Sequence, residues 1–161
     1  MIYLVDTNVL SEPTRPEPDK NVLTWLDEND YYVPSPVLAE IQHGIIGKVS
    51  VKERLYLQDN FDAIVESAAI LNWDMETSIK WAWLCYSKEV KKRPQAFWDS
   101  LIDAMGVRYD AVVVTRDVEG FRHSRTLDPW TGIEYAPGEK RKGKVESENP
   151  SGQASAGESV D

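Results

Sequence analysis

The sequence predicts an α/β fold built on a parallel sheet, and three features point to it. Residues 2–5 and 111–114 are short, unbroken apolar runs, as expected of strands covered on both faces. Segments of helical periodicity lie between these runs and weaker strand candidates, so strand and helix alternate along the chain. The length of 161 residues, with 42% apolar content, suits one core and a short appendage.

The first run, 2–5, leads to a helical pattern at 21–29 and a weak strand at 31–33. Ser35 then precedes Pro36, an N-cap followed by proline at the first helical position; this opens a helix over 36–46, which Gly47 stops. A helix at 51–61 and a strand candidate at 69–73 follow. Two long patterns, 75–91 and 97–109, are separated near Pro94, and the strand at 111–114 is followed by a last candidate at 125–127. Beyond Gly138 the composition changes. Residues 138–161 hold Lys140, Arg141, Lys142 and Lys144, then Glu, Ser, Gly and Asn, with no aromatic residue. Such a segment lacks the apolar surface to offset its ordering entropy, so a domain over 1–137 and a disordered polar tail over 138–161 are expected.

The chain carries 18 Lys and Arg against 27 Asp and Glu, a net charge of −9. Only four of those basic and five of those acidic residues fall in 138–161, so the acidity belongs to 1–137. Adhesion to nucleic acid or anionic lipid by charge alone is therefore excluded, and a polyanionic ligand needs a cation as intermediary. Cys85 is the single cysteine, no basic stretch precedes the first apolar run, and no run reaches the roughly 18–20 apolar residues of a membrane span. A cytoplasmic location without membrane insertion is expected.

Both apolar runs lead into an acid: Asp6 follows Val5, and Asp117 follows Val114 by way of Thr115 and Arg116. In a doubly wound sheet, C-terminal strand ends border the ligand crevice, so the two acids share it if their strands are neighbours. Taken singly, each has the alternative reading of a turn cap. Glu40 borders the apolar stripe of its helix, and Asp99 sits between Trp98 and Leu101-Ile102 near a helix start, where the helix dipole offers an alternative account. Asp103 lies one turn further on, a like-charge spacing that costs roughly 0.2–0.5 kcal/mol without a nearby cation. Together Asp6, Glu40, Asp99 and Asp117 form an all-oxygen ligand set, without the CxxC or HxxxH spacing of zinc sites. That chemistry points to a hard cation, magnesium or manganese, whose binding relieves the mutual repulsion and stabilises the fold.

The blocks Asp6-Thr7-Asn8-Val9-Leu10-Ser11-Glu12-Pro13, Leu38-Ala39-Glu40, Asp99 with Ile102, Thr115-Arg116-Asp117 before Phe121, and Leu127-Asp128-Pro129-Trp130 fall in register over about 1–130. In this combination the chain resembles the PIN-domain ribonucleases, specifically the VapC-type toxins of toxin–antitoxin pairs and their FitB-like branch. The resemblance implies a Rossmann-like PIN domain, with a parallel five-stranded sheet in the order 3-2-1-4-5 and helices on both faces. It implies that Asp6, Glu40, Asp99 and Asp117 are metal-site and catalytic acids, with Thr115 as a polar helper and Asn8 as a support. Asp103 stands where the family usually has a small apolar residue, leaving an extra ligand or a water-facing acid as readings; Trp98 stands where alanine is common.

The implied function is a Mg²⁺-dependent endoribonuclease toxin of a type II module, with Mn²⁺ as a substitute and a cognate antitoxin as inhibitor. Homodimers or toxin–antitoxin hetero-oligomers are implied, with DNA reached only through the antitoxin. The rival reading is a weakly catalytic or non-catalytic co-repressor of a DNA-binding antitoxin. Arg116 and Arg122 flank Asp117 as candidate phosphate contacts, whereas Lys88, Lys91, Lys92 and Arg93 read as a solvated helix end. The six tryptophans read mostly as core or interface. Trp81 and Trp83, two apart, cannot share a helix face, so the helix at 75–91 is expected to meet a second copy or the antitoxin. Cys85 reads as inert core, and His43 and His123 as ordinary surface residues. No GxSxG occurs, and no lysine stands at the 115–117 strand exit, which disfavours serine-hydrolase and receiver chemistry.

Overall fold

The structure, a computed structural model, describes residues 1–141. Six strands are present among the described residues: β1 (Tyr3–Val5), β2 (Val33–Pro34), β3 (Ile70–Leu71), β4 (Val112–Val114), β5 (Arg125–Asp128) and β6 (Ile133–Tyr135). Seven α-helices join them among the described residues: α1 (Thr7–Leu10), α2 (Lys20–Glu28), α3 (Ser35–Ile46), α4 (Val51–Ser67), α5 (Met75–Cys85), α6 (Lys88–Lys92) and α7 (Phe97–Arg108). Short 3₁₀ turns occupy Glu12–Thr14 and Val118–Gly120.

The α/β class with a mostly parallel sheet is as expected. β1 pairs with β4 and β4 with β5, all parallel. β2 and β3 form a second parallel ladder, joined to β1 by one bridge between Leu4 and Tyr32, where Tyr32 N donates to Tyr3 O at 2.9 Å. The expected uninterrupted five-strand ladder is therefore broken. β2 is two residues long and ends in Pro34, which has no N–H to donate. The sheet is also not wholly parallel, because β6 turns back antiparallel on β5 through Gly132, whose φ of +72° suits glycine.

Covering on both faces holds for the 111–114 run, since Val112, Val113 and Val114 are each 0% exposed, but only in part for 2–5, where Leu4 and Val5 are buried, Tyr3 is half-buried and Ile2 is exposed. Val9 of α1, Val22 of α2, Val37 of α3 and Ile102 of α7 complete that core. Three helix expectations need correction. The pattern at 75–91 breaks into α5 and α6, because Ser87 accepts from Val90 N and starts a new helix. The pattern at 51–61 extends to Ser67. Pro34 and not Ser35 precedes α3, and Ser35 Oγ instead accepts from Trp73 N at 2.9 Å, tying α3 to the segment after β3.

Trp81 and Trp83 diverge as their spacing requires: Trp81 is half-buried with its indole N–H on Ser100 Oγ, while Trp83 is 77% exposed. Cys85 is half-buried and not in the core. Of the expected tail, residues 138–141 are described, and Arg141 pairs with buried Asp128; residues 142–161 lie outside the described residues. Among the described residues no helix is long and apolar enough to cross a membrane.

Helix α7 lies close on the sheet at Gly106, where an added Cβ would come within 2.2 Å of Ser124 Oγ and 3.1 Å of Val113 Cγ2. Gly106→Ala is therefore expected to lose about 1–3 kcal/mol through overpacking. Gly44→Ala, at an α3 position with no such neighbour within 4 Å, is expected to be neutral or to gain up to about 1 kcal/mol. Urea unfolding of the two variants checks the contrast.

Candidate active site

The pairing of β1 with β4 sets the site, because it aligns Val5 with Val114 and delivers the residues after both strands to one edge. Asp6 N donates to Val114 O at 2.9 Å as the chain leaves the sheet. Asp6 then caps α1, its Oδ1 accepting from Thr7 N at 2.7 Å. Its Oδ2 accepts from Asn8 Nδ2 at 2.8 Å and Thr115 Oγ1 at 2.7 Å. Asn8 Oδ1 accepts from Arg116 N and Thr115 Oγ1 from Asp117 N, both at 3.0 Å. Asn8 and Thr115 thus link Asp6 to the segment that carries Asp117.

Glu40 enters from α3, where it accepts a hydrogen bond from Thr7 Oγ1. Asp99 enters from the first turn of α7. Gly120 lies between Asp99 and Asp117: a Cβ there would sit 2.7 Å from Asp99 Oδ2 and 3.2 Å from Asp117 Oδ2. Glycine keeps that space free.

The electrostatics show that all four acids share one field. Burial pushes the Asp6 carboxyl up to about 6; hydrogen bonds from Thr115 and Thr7 oppose this, and the charges of Glu40 and Asp117 add to it. Burial likewise pushes Asp99 up to about 7, reinforced by Asp6, Asp117 and Glu40 and opposed by Arg122. Among the described residues, no three His, Cys, Asp or Glu side chains are already arranged as a metal cage. The donor set nonetheless fits a hard cation in chemistry and charge: its ligating atoms are carboxylate oxygens, they repel one another, and Gly120 leaves room between two of them.

Other sequence candidates take different places. Asp103 is not water-facing; it is 1% exposed, and its oxygens are taken up by the backbone N–H groups of Arg122, His123 and Ser124. Arg122 is buried, and its guanidinium donates to the carbonyls of Arg93, Pro94 and Glu119, which removes it as a free phosphate contact. Arg116 is exposed, with its guanidinium carbon 5.2 Å from the Trp130 ring centroid. His43 is a surface residue, but His123 is not: Nδ1 lies 3.1 Å from Asp103 Oδ2 and Nε2 lies 2.9 Å from Ser87 Oγ. Thr7, Gln95 and Gly120 were missed. Thr7 had a local signal, being a hydroxyl at the first helical position after a strand-end acid. Gln95 had none, since its partners are 8 and 25 residues away in the chain, and Gly120 had none because the Asp99 carboxylate beside it comes from a different element.

Sheet and site together define a Rossmann-like α/β protein with an acidic pocket at the C-terminal ends of neighbouring parallel strands. The chain belongs to the PIN domain family, whose model matches residues 3–125. It is similar to Toxin FitB of Neisseria gonorrhoeae, at 27% identity covering 80% of this chain and 99% of the relative. It is also similar to VapC ribonuclease Y4jK of Sinorhizobium fredii, at 28% identity over 80% of this chain and 98% of that protein. The crystal structure of FitAcB from Neisseria gonorrhoeae superimposes with a TM-score of 0.69, covering 80% of this chain and 99% of that one. A structure of FitAB bound to an IR36 DNA fragment gives the same TM-score at 28% identity, over 80% of this chain and 96% of its own.

The raised values give a signed pH dependence. With Asp6 at about 6 and Asp99 at about 7 against 3.8 unfolded, the metal-free native state binds more protons than the unfolded chain between about pH 4 and 7. Stability from these two groups therefore falls as pH rises through that window. Asp99→Asn removes one of the repelling charges, so it is expected to raise the thermal midpoint of the metal-free protein at pH 8 and to change it much less at pH 4. Calorimetric melts in EDTA check this.

Proposed function

We propose that this chain is a metal-dependent endoribonuclease toxin of a type II toxin–antitoxin module. The observation that carries the reading is the meeting of Asp6, Glu40, Asp99 and Asp117 in one field at the strand ends. The relatives called Toxin FitB and VapC ribonuclease support both the toxin and the nuclease reading. Asp6, Asp99, Asp117 and Glu40 would hold the cation, Mg²⁺ or in its place Mn²⁺. When bound, such an ion lowers the pKa of water for in-line attack on a phosphodiester and offsets charge on phosphorus and the departing oxygen.

The chain's own residues prepare that chemistry. Thr115 and Asn8 fix the Asp6 carboxylate by two hydrogen bonds to Oδ2, so it presents its remaining lone pairs in one orientation. Thr7 turns Glu40 towards the same corner. An RNA phosphate cannot approach four carboxylates unaided, which makes a cation an obligatory partner of substrate binding. Arg116, exposed and stacked on Trp130, is the phosphate contact on this reading; Arg122 is not.

A cognate antitoxin is the inhibitor, placing an arginine among the acids in competition with metal. DNA is reached only through it, in keeping with the net charge of −9 and with a solved relative, FitAB, bound to DNA. The apolar side chains of Met75, Ile79 and Trp83 exposed on α5 support a homodimer or antitoxin contact there. The domain proper then runs over 1–137, and the setting is cytoplasmic.

Cleavage of structured RNA tests the proposal. Wild-type protein is expected to cut with Mg²⁺ or Mn²⁺, to stop with EDTA, and to lose about 100-fold or more with Asp6→Asn or Asp99→Asn. Activity that persists through both chelation and substitution contradicts it. Tight operator binding with the antitoxin, combined with no cleavage by wild type, would instead favour the co-repressor role.

A further inference from the structure

Building on the nuclease reading, we propose that Asp103 is a positioning residue of the acid pocket, which fixes segment 119–124 so that Asp117 and Gly120 close against Asp99. Asp103 lies one helical turn beyond Asp99 on α7 and is 1% exposed. A buried carboxylate is costly unless it is densely hydrogen-bonded. This one accepts from Arg122 N at 2.9 Å, from His123 N at 3.2 and 3.3 Å, from Ser124 N at 2.9 Å and from Gln95 Nε2 at 2.9 Å. His123 Nδ1 lies 3.1 Å from it as well. Burial pushes its pKa up, but the donors from His123, Gln95, Arg122 and Ser124 outweigh burial and hold it below the ordinary value. Asp99 and Asp103 are thus neighbours on one helix in opposite environments, one buried beside other acids and one saturated with donors.

The donors converge from the two segments that border the pocket. Gln95 Nε2 bridges Asp103 to Gly120 O, again at 2.9 Å. Arg93 Nη2 donates to Glu119 O at 3.0 Å, and the Arg122 guanidinium returns to the carbonyls of Arg93, Pro94 and Glu119. The residues just before α7 are therefore stitched to those just after Asp117, with Asp103 at the centre. Gly120 in turn lies against the Asp99 and Asp117 carboxylates. Release of the 119–124 backbone changes the separation of those two acids, and a misplacement of about 1 Å at a reacting centre costs up to about 100-fold.

The order Ser87–His123–Asp103 has the contacts of a nucleophilic triad, but its members are committed elsewhere. Ser87 Oγ accepts from Val90 N as the cap of α6, and Asp103 directs its oxygens to three backbone amides. The triad is an outward extension of the same anchor.

The test uses the full chain with Asp103→Asn, the milder Gln95→Ala, and Val22→Ala as a core-destabilised control remote from the pocket. Thermal melting, Mn²⁺ affinity by calorimetry, and kcat and KM on structured RNA are measured for each. Asp103→Asn is expected to weaken Mn²⁺ binding about tenfold and Gln95→Ala about threefold in protein that is still folded, as loss of an outer support does. In the same order kcat should fall while KM for RNA changes less than about twofold, and Val22→Ala should lower the melting temperature without moving either Mn²⁺ affinity or kcat. Folded Asp103→Asn or Gln95→Ala with wild-type Mn²⁺ affinity and kcat overturns the proposal, as does an equal loss in Val22→Ala; if Asp103→Asn does not fold, Gln95→Ala decides. Wild type that binds Mn²⁺ but leaves RNA intact overturns the nuclease reading alone, with positioning still judged from Mn²⁺ affinity. Wild type that binds no Mn²⁺ overturns both.

Discussion

Repulsion among carboxylates gathered at one sheet edge is the constraint on which the rest of this structure depends. Nothing in the packing of the core requires Asp6, Glu40, Asp99 and Asp117 to meet, and burial there, reinforced by their mutual charge, raises the proton affinity of two of them. The fold sustains this through hydrogen bonds that act on the acids one at a time. Asp6 is held by Thr7, Asn8 and Thr115, Glu40 by Thr7, and the segment carrying Asp117 by Thr115. A protein stabilised only for its own sake would have an apolar or neutral corner there. The cost of the arrangement is the physical sign of a site.

The sheet supplies the convergence. β1 and β4 are short, but Leu4 and Val5 of β1 and all three valines of β4 are fully buried in parallel register, so their ends cannot slide without exposing buried surface. Helices α3 and α7 then bring Glu40 and Asp99 from the side. A second tier of contacts, centred on Asp103, joins the entry of α7 to the exit of the 118–120 turn. Helix, turn and strand end thus share one anchor.

Much of this was legible in the sequence. The unbroken runs at 2–5 and 111–114 marked the two central strands, and an acid directly after each marked the edge where the pocket lies. What remained hidden depended on long-range partners. Asp103 read as an extra ligand or a solvated acid because its donors come from residues 95 and 122–124, which no helical periodicity connects to it. Arg122 read as a phosphate contact because its neighbour Asp117 is visible in sequence while the carbonyls that occupy it are not. β6 escaped notice because it is a three-residue strand formed by pairing back on β5 and carries no apolar run of its own.

The most direct test of the shared acidic field is Mn²⁺ titration calorimetry of the wild-type chain in buffers of different ionisation enthalpy. Because Asp6 and Asp99 hold protons up to about 6 and 7, a cation entering among them must displace protons at pH 6.5 and few at pH 8.5. Binding with proton release that shrinks as pH rises is the expected result. Absence of binding, or binding with no proton release at pH 6.5, would contradict the account.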